Sequence, residues 1–288
     1  MSLLVAVRVL TYNQERFIRK CLESVQSQKT NFNFKVFIGE DCSTDNTLQI
    51  CKEFENNNPK RFIVKSTKEN NISQNSLDNF NLCFNSGAKY IALLEGDDYW
   101  TDPLKLQKQV DFLESNEDYN ICFHDVKIFN QQENSFKEDY ITAKLSETEF
   151  DISDLVKRNI MHTPSVMLRN NFEIPRWFFK AFLGDWTLYI LATKNKKIKK
   201  IGGEMAVYRV HQTSIWSSKS SYYQTIKINK TLKLVLKNYK KLDSESILIL
   251  KNRIRNNKKL ILYNKVQNLR SKYSIIDSLF VLKAKFTK

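Results

Sequence analysis

Along the first 130 positions, short unbroken apolar runs alternate with segments of helical spacing. Leu3–Leu10 is apolar except for Arg8, the profile of a strand buried on both faces. Between Glu15 and Gln28 the apolar residues are Phe17, Ile18, Cys21, Leu22 and Val25, which line one face of a helix. Phe34–Gly39 predicts the next strand, and Ser43-Thr44-Asp45-Asn46 offers caps for a helix running through Glu55. Strands are predicted over Arg61–Ser66 and Tyr90–Leu94, with a helix over Leu77–Asn85 between them. Asp102-Pro103, a cap followed by a proline in the first turn, opens a helix over Leu104–Ser115, and Ile121–Phe129 reads as a strand.

This alternation predicts an α/β fold, a mostly parallel sheet with helices on both faces. Ligands of such sheets sit beyond the carboxyl ends of the strands, so the loops there are where chemistry is expected. Residues 131–160 are polar and read as a surface excursion. Thr163–Leu168 and Glu204–Val210 read as strands, with a helix over Trp186–Thr193 between them. Beyond about residue 220 the spacing is purely helical, over Ile226–Tyr239, Ile247–Val266 and Ile275–Phe286. Two units are expected, residues 1–220 and a basic helical region, 221–288.

Composition narrows the setting. Apolar residues make up 42% of the 288, enough for a full core. The longest clean apolar runs, such as Ile91–Leu94, fall far short of the roughly 20 residues that cross a bilayer. Arg8 interrupts the N-terminal run, so a signal peptide is not expected. Five scattered cysteines without a CxxC pair argue against a disulfide framework or structural zinc, and predict a cytoplasmic protein. The net charge of +15 is local: residues 225–288 carry 17 Lys/Arg against three acids, while the rest is nearly balanced. Apart from Tyr239, Tyr263 and Tyr273 this region has few aromatics and no recognition motif, so nucleic acid is not the expected partner.

Four constellations could carry chemistry. Glu95-Gly96-Asp97-Asp98 follows the strongly apolar fourth strand. Three carboxylates so close repel unless a cation or donors compensate them. The run is either a solvated turn or a site for Mg²⁺ or Mn²⁺ shared with substrate phosphates. Glu40-Asp41-Cys42-Ser43 follows the second strand; it can cap the next helix, and Asp41, surplus to capping, can accept from a base or a ribose. Gly184-Asp185-Trp186 opens a helix, where Asp185 is either a cap or a general base kept ionised by the helix terminus. Tyr208-Arg209-Val210-His211 places one of three histidines after a strand, as a structural hydrogen-bonder or a ligand.

Taken together these pieces resemble the family 2 glycosyltransferases of bacteria, which have the GT-A fold. The match runs through Leu10-Thr11-Tyr12-Asn13, Cys21-Leu22-Glu23-Ser24-Val25, Glu40–Thr47, Tyr90–Trp100, Thr163–Leu168, Gly184-Asp185-Trp186 and Ala206–His211, about three quarters of the chain. The resemblance implies inverting transfer of a sugar from a nucleotide donor, usually UDP-linked, to a hydroxyl of a cell-surface glycan or lipid-linked acceptor. It implies that Thr11, Tyr12 and Asp41, joined by Asn79, hold the nucleoside. Glu95-Gly96-Asp97 takes the Asp-x-Asp position, with Asp97 for the metal and Glu95 for ribose or outer contacts. Asp185 matches the catalytic base, and His211 a histidine near the diphosphate and metal. The alternative is an inactive relative that binds a nucleotide sugar as a scaffold. Region 225–288 lies outside the resemblance. It reads as a solvated tail, a contact with a second copy, or, favoured here, a peripheral contact with the anionic inner membrane face. There Leu279, Phe280, Val281, Leu282 and Phe286 would dip in beside Lys283 and Lys285.

Overall fold

The structure, a computed structural model, describes residues 2–70, 72–214, 216 and 219–285, with side chains outside 72–76 and 268–285. Its elements run β1 (Leu3–Thr11), α1 (Ile18–Gln26), β2 (Asn33–Glu40), α2 (Thr47–Asn57), β3 (Phe62–Ser66), α3 (Ile72–Phe84), β4 (Tyr90–Glu95) and β5 (Tyr99–Trp100). Then come α4 (Lys105–Ser115), β6 (Tyr119–Asn130), β7 (Ser135–Lys137), β8 (Glu149–Phe150), α5 (Ile152–Lys157) and β9 (Met167–Arg169). The chain continues through α6 (Gly184–Thr193), β10 (Lys197–Val210), α7 (Ser221–Asn238) and α8 (Ser244–Lys285).

One sheet organises these strands in the order β3-β2-β1-β4-β9-β6-β10-β5. Neighbours among β3, β2, β1 and β4 are parallel, as are β6 and β10. The short β9 runs against both β4 and β6 and joins the two parallel halves. The expected mostly parallel sheet is present, and its geometry matches the GT-A architecture. Alternate residues of one strand feed opposite faces. Val5, Val7 and Val9 pack with α1, α2 and α4, whereas Ala6 and, on β4, Ile91 and Leu93 pack with α3, α5 and α6. Each buried Val or Leu removed from water contributes roughly 1.5–3 kcal/mol before chain entropy is counted.

Three elements differ from the sequence reading. The segment 131–160 is not wholly a surface excursion, because Phe150, Ile152, Leu155, Val156 and Ile160 enter the core. Its polar stretch is confined to the first half, and the apolar spacing of α5 is too short to stand out. Thr163–Leu168 is not one strand but a 3₁₀ turn over Thr163–Ser165 followed by β9; Pro164 supplies the turn's fixed φ and no N–H for a ladder. The last two expected helices are one, α8. Leu232, Val235, Leu250 and Ile254, from α7 and α8, share the hydrophobic cluster that contains Trp186. The apolar side chains 279–282 and Phe286 lie outside the described residues.

Candidate active site

The carboxyl ends of β1, β2 and β4 lie side by side, which brings the three N-terminal motifs into one place. The Asp41 backbone N–H donates to the Thr11 carbonyl at 3.1 Å, continuing the β1–β2 ladder into the loops. Asn13 and Cys42 adopt left-handed φ values of 49° and 58°, a region asparagine tolerates through local side-chain hydrogen bonds. Here Asn13 Oδ1 accepts from the Thr44 N–H at 2.8 Å. Glu40 is wholly buried and ties the turn, accepting from Ser43 N–H at 2.6 Å and Ser66 Oγ at 2.8 Å. The Glu-Asp pair thus divides its work: Glu40 builds the loop, while Asp41, also buried, accepts from Thr67 Oγ1 at 3.3 Å. The Tyr12 ring is exposed, and the Thr11 hydroxyl donates to Gln14 Oε1 at 2.8 Å.

Asn79 does not join this cluster. It is fully buried, and its Nδ2 donates to the Phe37 carbonyl at 3.0 Å, three residues back from the carboxyl end of β2.

Gly96 turns the chain out of β4 against β1, its N–H donating to the Leu10 carbonyl at 2.8 Å. A Cβ at this position would lie 2.7 Å from Thr11 Oγ1 and 2.9 Å from Thr11 Cβ, so only glycine fits. The three acids around it have separate jobs. The Asp98 carboxylate is buried and accepts from the Arg209 N–H at 2.8 Å, tying the loop to β10. Asp97 Oδ2 lies 2.8 Å from His211 Nε2, and the Asp97 carbonyl accepts from Arg209 Nε at 2.8 Å. Burial pushes Glu95 up to about 8, with Asp97 and Asp185 adding to the rise and Arg8 opposing it. Burial likewise drives Asp98 well above the usual carboxylate range, and Asp97 reinforces it.

The site is therefore an accumulation of negative charge faced by a buried cation. Arg8, which interrupts the apolar run of β1, sits under the acids with its guanidinium 3.9 Å over the Phe80 ring. Among the described residues no group of three His, Cys, Asp or Glu side chains is arranged to hold an ion. The pair Asp97–His211 is a two-donor set, matching a Mg²⁺-type ion that takes its other ligands from phosphate oxygens and water. Ligands about 2.1 Å from such an ion stand about 3 Å apart when adjacent, close to the observed separation. The donor set fits.

Asp185 lies in the first turn of α6, near enough to Glu95 for the two charges to interact. Asn159 Nδ2 donates to Asp185 Oδ2 at 3.1 Å. Burial raises its pKa, while the N–H groups of the helix turn and the Asn159 amide hold it back. Behind it, Trp186 Nε1 donates to the Leu155 carbonyl at 2.8 Å, and the Arg253 guanidinium from α8 lies 4.8 Å over the Trp186 ring. Thr11, Tyr12, Asp41, Glu95, Asp97, His211 and Asp185 thus gather at one end of the sheet. The reading from sequence missed Arg8, Asn159 and the pair Asp139–His162, and gave Arg209 no role of its own. Arg8 alone left a signal, a single charge inside a buried strand.

The sequence model of glycosyl transferase family 2 matches residues 6–173. An uncharacterised protein of Mycobacterium tuberculosis is 34% identical over 212 residues, 73% of this chain and 59% of that protein, so the chain spans little more than half its relative's length. Among solved structures, S. aureus TarS 1–349 in complex with UDP-GlcNAc superposes with a TM-score of 0.63 at 18% identity, covering 88% of this chain and 72% of that one. A mannosyltransferase from Pyrobaculum calidifontis in complex with GDP-Man and Mn²⁺ gives 0.55 at 12% identity, covering 96% and 83%. At those identities the likeness is one of fold.

Proposed function

As the chain belongs to glycosyl transferase family 2, we propose that it moves a sugar from a nucleoside diphosphate donor, UDP-linked by preference, to an acceptor hydroxyl with inversion. The observation that carries the reading is the placement of Asp185, a half-buried carboxylate at a helix start, beside the acids at the carboxyl ends of the strands. Thr11, the exposed Tyr12 ring and Asp41 form the nucleoside side, with Asp41 as acceptor for a base N–H or a ribose hydroxyl. Glu95 borders the ribose. Bound between Asp97 and His211, Mn²⁺ or Mg²⁺ would neutralise the charge that grows on the departing diphosphate.

On the opposite side the acceptor oxygen attacks the anomeric carbon. Its new C–O bond forms as the bond to the phosphate oxygen breaks, the electron pair leaves with the diphosphate, and Asp185 takes the hydroxyl proton. Burial raises the pKa of this carboxylate, which strengthens it as a base. One displacement needs one base, so the anomeric configuration inverts.

The TarS complexes with UDP and UDP-GlcNAc support a UDP donor by analogy of fold. The acceptor we assign is a hydroxyl of a glycan or a lipid-linked precursor of cell-surface polysaccharide. On α8 the exposed Leu260, Leu262, Tyr263 and Val266 are interleaved with Lys258, Lys259 and Lys265, supporting peripheral contact with an anionic bilayer from the cytoplasmic side. Among the described residues no helix is long and apolar enough to cross a membrane.

Calorimetry with UDP tests the reading. Binding should require Mn²⁺ or Mg²⁺, vanish with chelator and weaken sharply in Asp97→Ala. Asp185→Asn should bind UDP normally yet lose turnover of the donor. Metal-independent binding, or wild-type turnover in Asp185→Asn, would refute the assignment.

A further inference from the structure

A second histidine–carboxylate pair lies next to the base and has no part in the reaction as described so far. His162 Nε2 is 2.9 Å from Asp139 Oδ1, and their side chains are only 3% and 5% exposed. Asp139 is an acceptor held in place from all sides. The Ile141 N–H donates to it at 2.8 Å, the Thr142 N–H at 3.2 Å, and the Thr142 hydroxyl donates as well. Burial works against its charge, but the His162 contact and the Thr142 donors hold it down at about 2. An ionised carboxylate only accepts, so the hydrogen between the two sits on Nε2 of His162, and in the neutral tautomer that this contact selects Nδ1 is an acceptor. Among the described residues nothing is hydrogen-bonded to that nitrogen.

The backbone carrying His162 is the strip that holds the base. Asn159 donates its amide to Asp185, and its Oδ1 accepts from the Met161 N–H at 3.2 Å. The His162 carbonyl accepts from the Ser165 N–H at 3.0 Å and from Ser165 Oγ at 2.7 Å. Trp100, at the end of the acidic motif, donates Nε1 to the Pro164 carbonyl at 3.0 Å. The strip is stitched to the acid loop on one side and to the base on the other. The His162 ring stacks at 4.8 Å on Tyr208, which precedes Arg209 and His211, and is near enough to Asp185 for their charges to interact. The titratable groups facing it are Asp139, Tyr140, Tyr208 and Asp185.

We propose that His162, oriented by Asp139, is an acceptor-binding residue whose Nδ1 receives a hydrogen bond from an O–H of the nucleophile's molecule while Asp185 takes the reacting proton. With a sugar acceptor that O–H is the hydroxyl adjacent to the attacking one. With water it is the second hydrogen. The inference rests on the transferase reading, and it adds a preference for acceptors that offer two neighbouring hydroxyls.

The test uses the full chain, UDP calorimetry with Mn²⁺, and hydrolysis of UDP-glucose, UDP-galactose and UDP-N-acetylglucosamine, in which water is the nucleophile. His162→Phe keeps the ring contact with Tyr208 and removes the acceptor nitrogen; Asp139→Asn keeps the shape and releases the tautomer. Both should bind UDP within about twofold of wild type while kcat for hydrolysis falls about tenfold or more. A nitrogen-15 spectrum of the imidazoles should show His162 as the Nε2–H tautomer in wild type and not in Asp139→Asn. Hydrolysis within about twofold of wild type in either folded variant overturns the proposal, as does equal loss of UDP affinity and turnover, the mark of a purely structural pair. If His162→Phe fails to fold, Asp139→Asn decides. A wild-type chain that binds no UDP and hydrolyses no donor fails at the transferase reading itself, before any variant is compared, and the proposal falls with it.

Discussion

Replacing Gly96 by alanine adds one methyl group at the point where the acid loop meets Thr11 at the end of β1. That methyl would sit 2.7 Å from Thr11 Oγ1 and 2.9 Å from Thr11 Cβ, well inside van der Waals contact. Thr11 cannot swing away, because a β-branched side chain is stiff and its strand is clamped between β2 and β4. Overpacking of this kind costs about 1–3 kcal/mol. Displacing the Thr11 hydroxyl from Gln14 (2.8 Å) adds about 1 kcal/mol. The lower chain entropy of alanine returns about 0.4–1 kcal/mol. The net loss is about 1–3.5 kcal/mol, or roughly 2–14 °C in melting temperature for a chain of this size. Thermal unfolding followed by circular dichroism gives the stability, and UDP calorimetry on the same sample gives the binding. UDP affinity should drop further than stability alone explains, since Thr11 moves with the methyl. A melting temperature within about 1 °C of wild type would show that the loop relaxes freely and that the close approach does not fix the site.

Other expected outcomes follow from the buried charges. With chelator present, the Glu95 carboxyl, raised to about 8 from 4.5, keeps its proton in the folded chain where the unfolded chain has lost it. That stability is fully present below about pH 4.5 and is lost as pH climbs to about 8, so urea midpoints should fall across the window and flatten in Glu95→Gln. Burial pushes Lys105 down to about 7 from 10.5, so its burden on the fold is heaviest at low pH and lifts as pH rises through about 7–10.5. Lys105→Met should therefore stabilise more at pH 6 than at pH 9, and the reverse order in denaturant melts would contradict the burial argument. Arg253→Met removes the guanidinium from the Trp186 ring and its hydrogen bond to the Val156 carbonyl. It should lose about 1–3 kcal/mol in urea unfolding, with UDP affinity unchanged.

Wherever one strand or one turn made the decision, the sequence was legible. Leu3–Leu10 and Tyr90–Leu94 are apolar because both faces are covered, and their following loops lie side by side as the pattern predicts. Asp185 could be found because a helix start leaves unpaired N–H groups that suit an acid. What stayed hidden depends on pairs far apart in the chain. Asn79 looks like any polar helix residue, and only the position of α3 beneath β2 shows that its amide serves the Phe37 carbonyl. Asp139 and His162 are 23 residues apart in a stretch that reads as polar, and nothing local shows that each buries the other. Glu40 and Asp41 are adjacent buried acids, and only the folded loop shows that Glu40 takes the Ser43 and Ser66 donors while Asp41 takes Thr67.

The strand β9 has three residues, yet it is the only ladder between the half of the sheet that ends in Asp41 and Glu95 and the half that leads to His211 among the described residues. Met167 pairs with Ala92 on one side and Cys122 on the other, and Leu168 with Ile91 and Ile121. Those two residues act as a spacer gauge. A close-packed interior transmits displacement with little compression, so a bulkier or smaller side chain at Leu168 would move the Asp41–Glu95 end and the His211 end relative to each other without touching either.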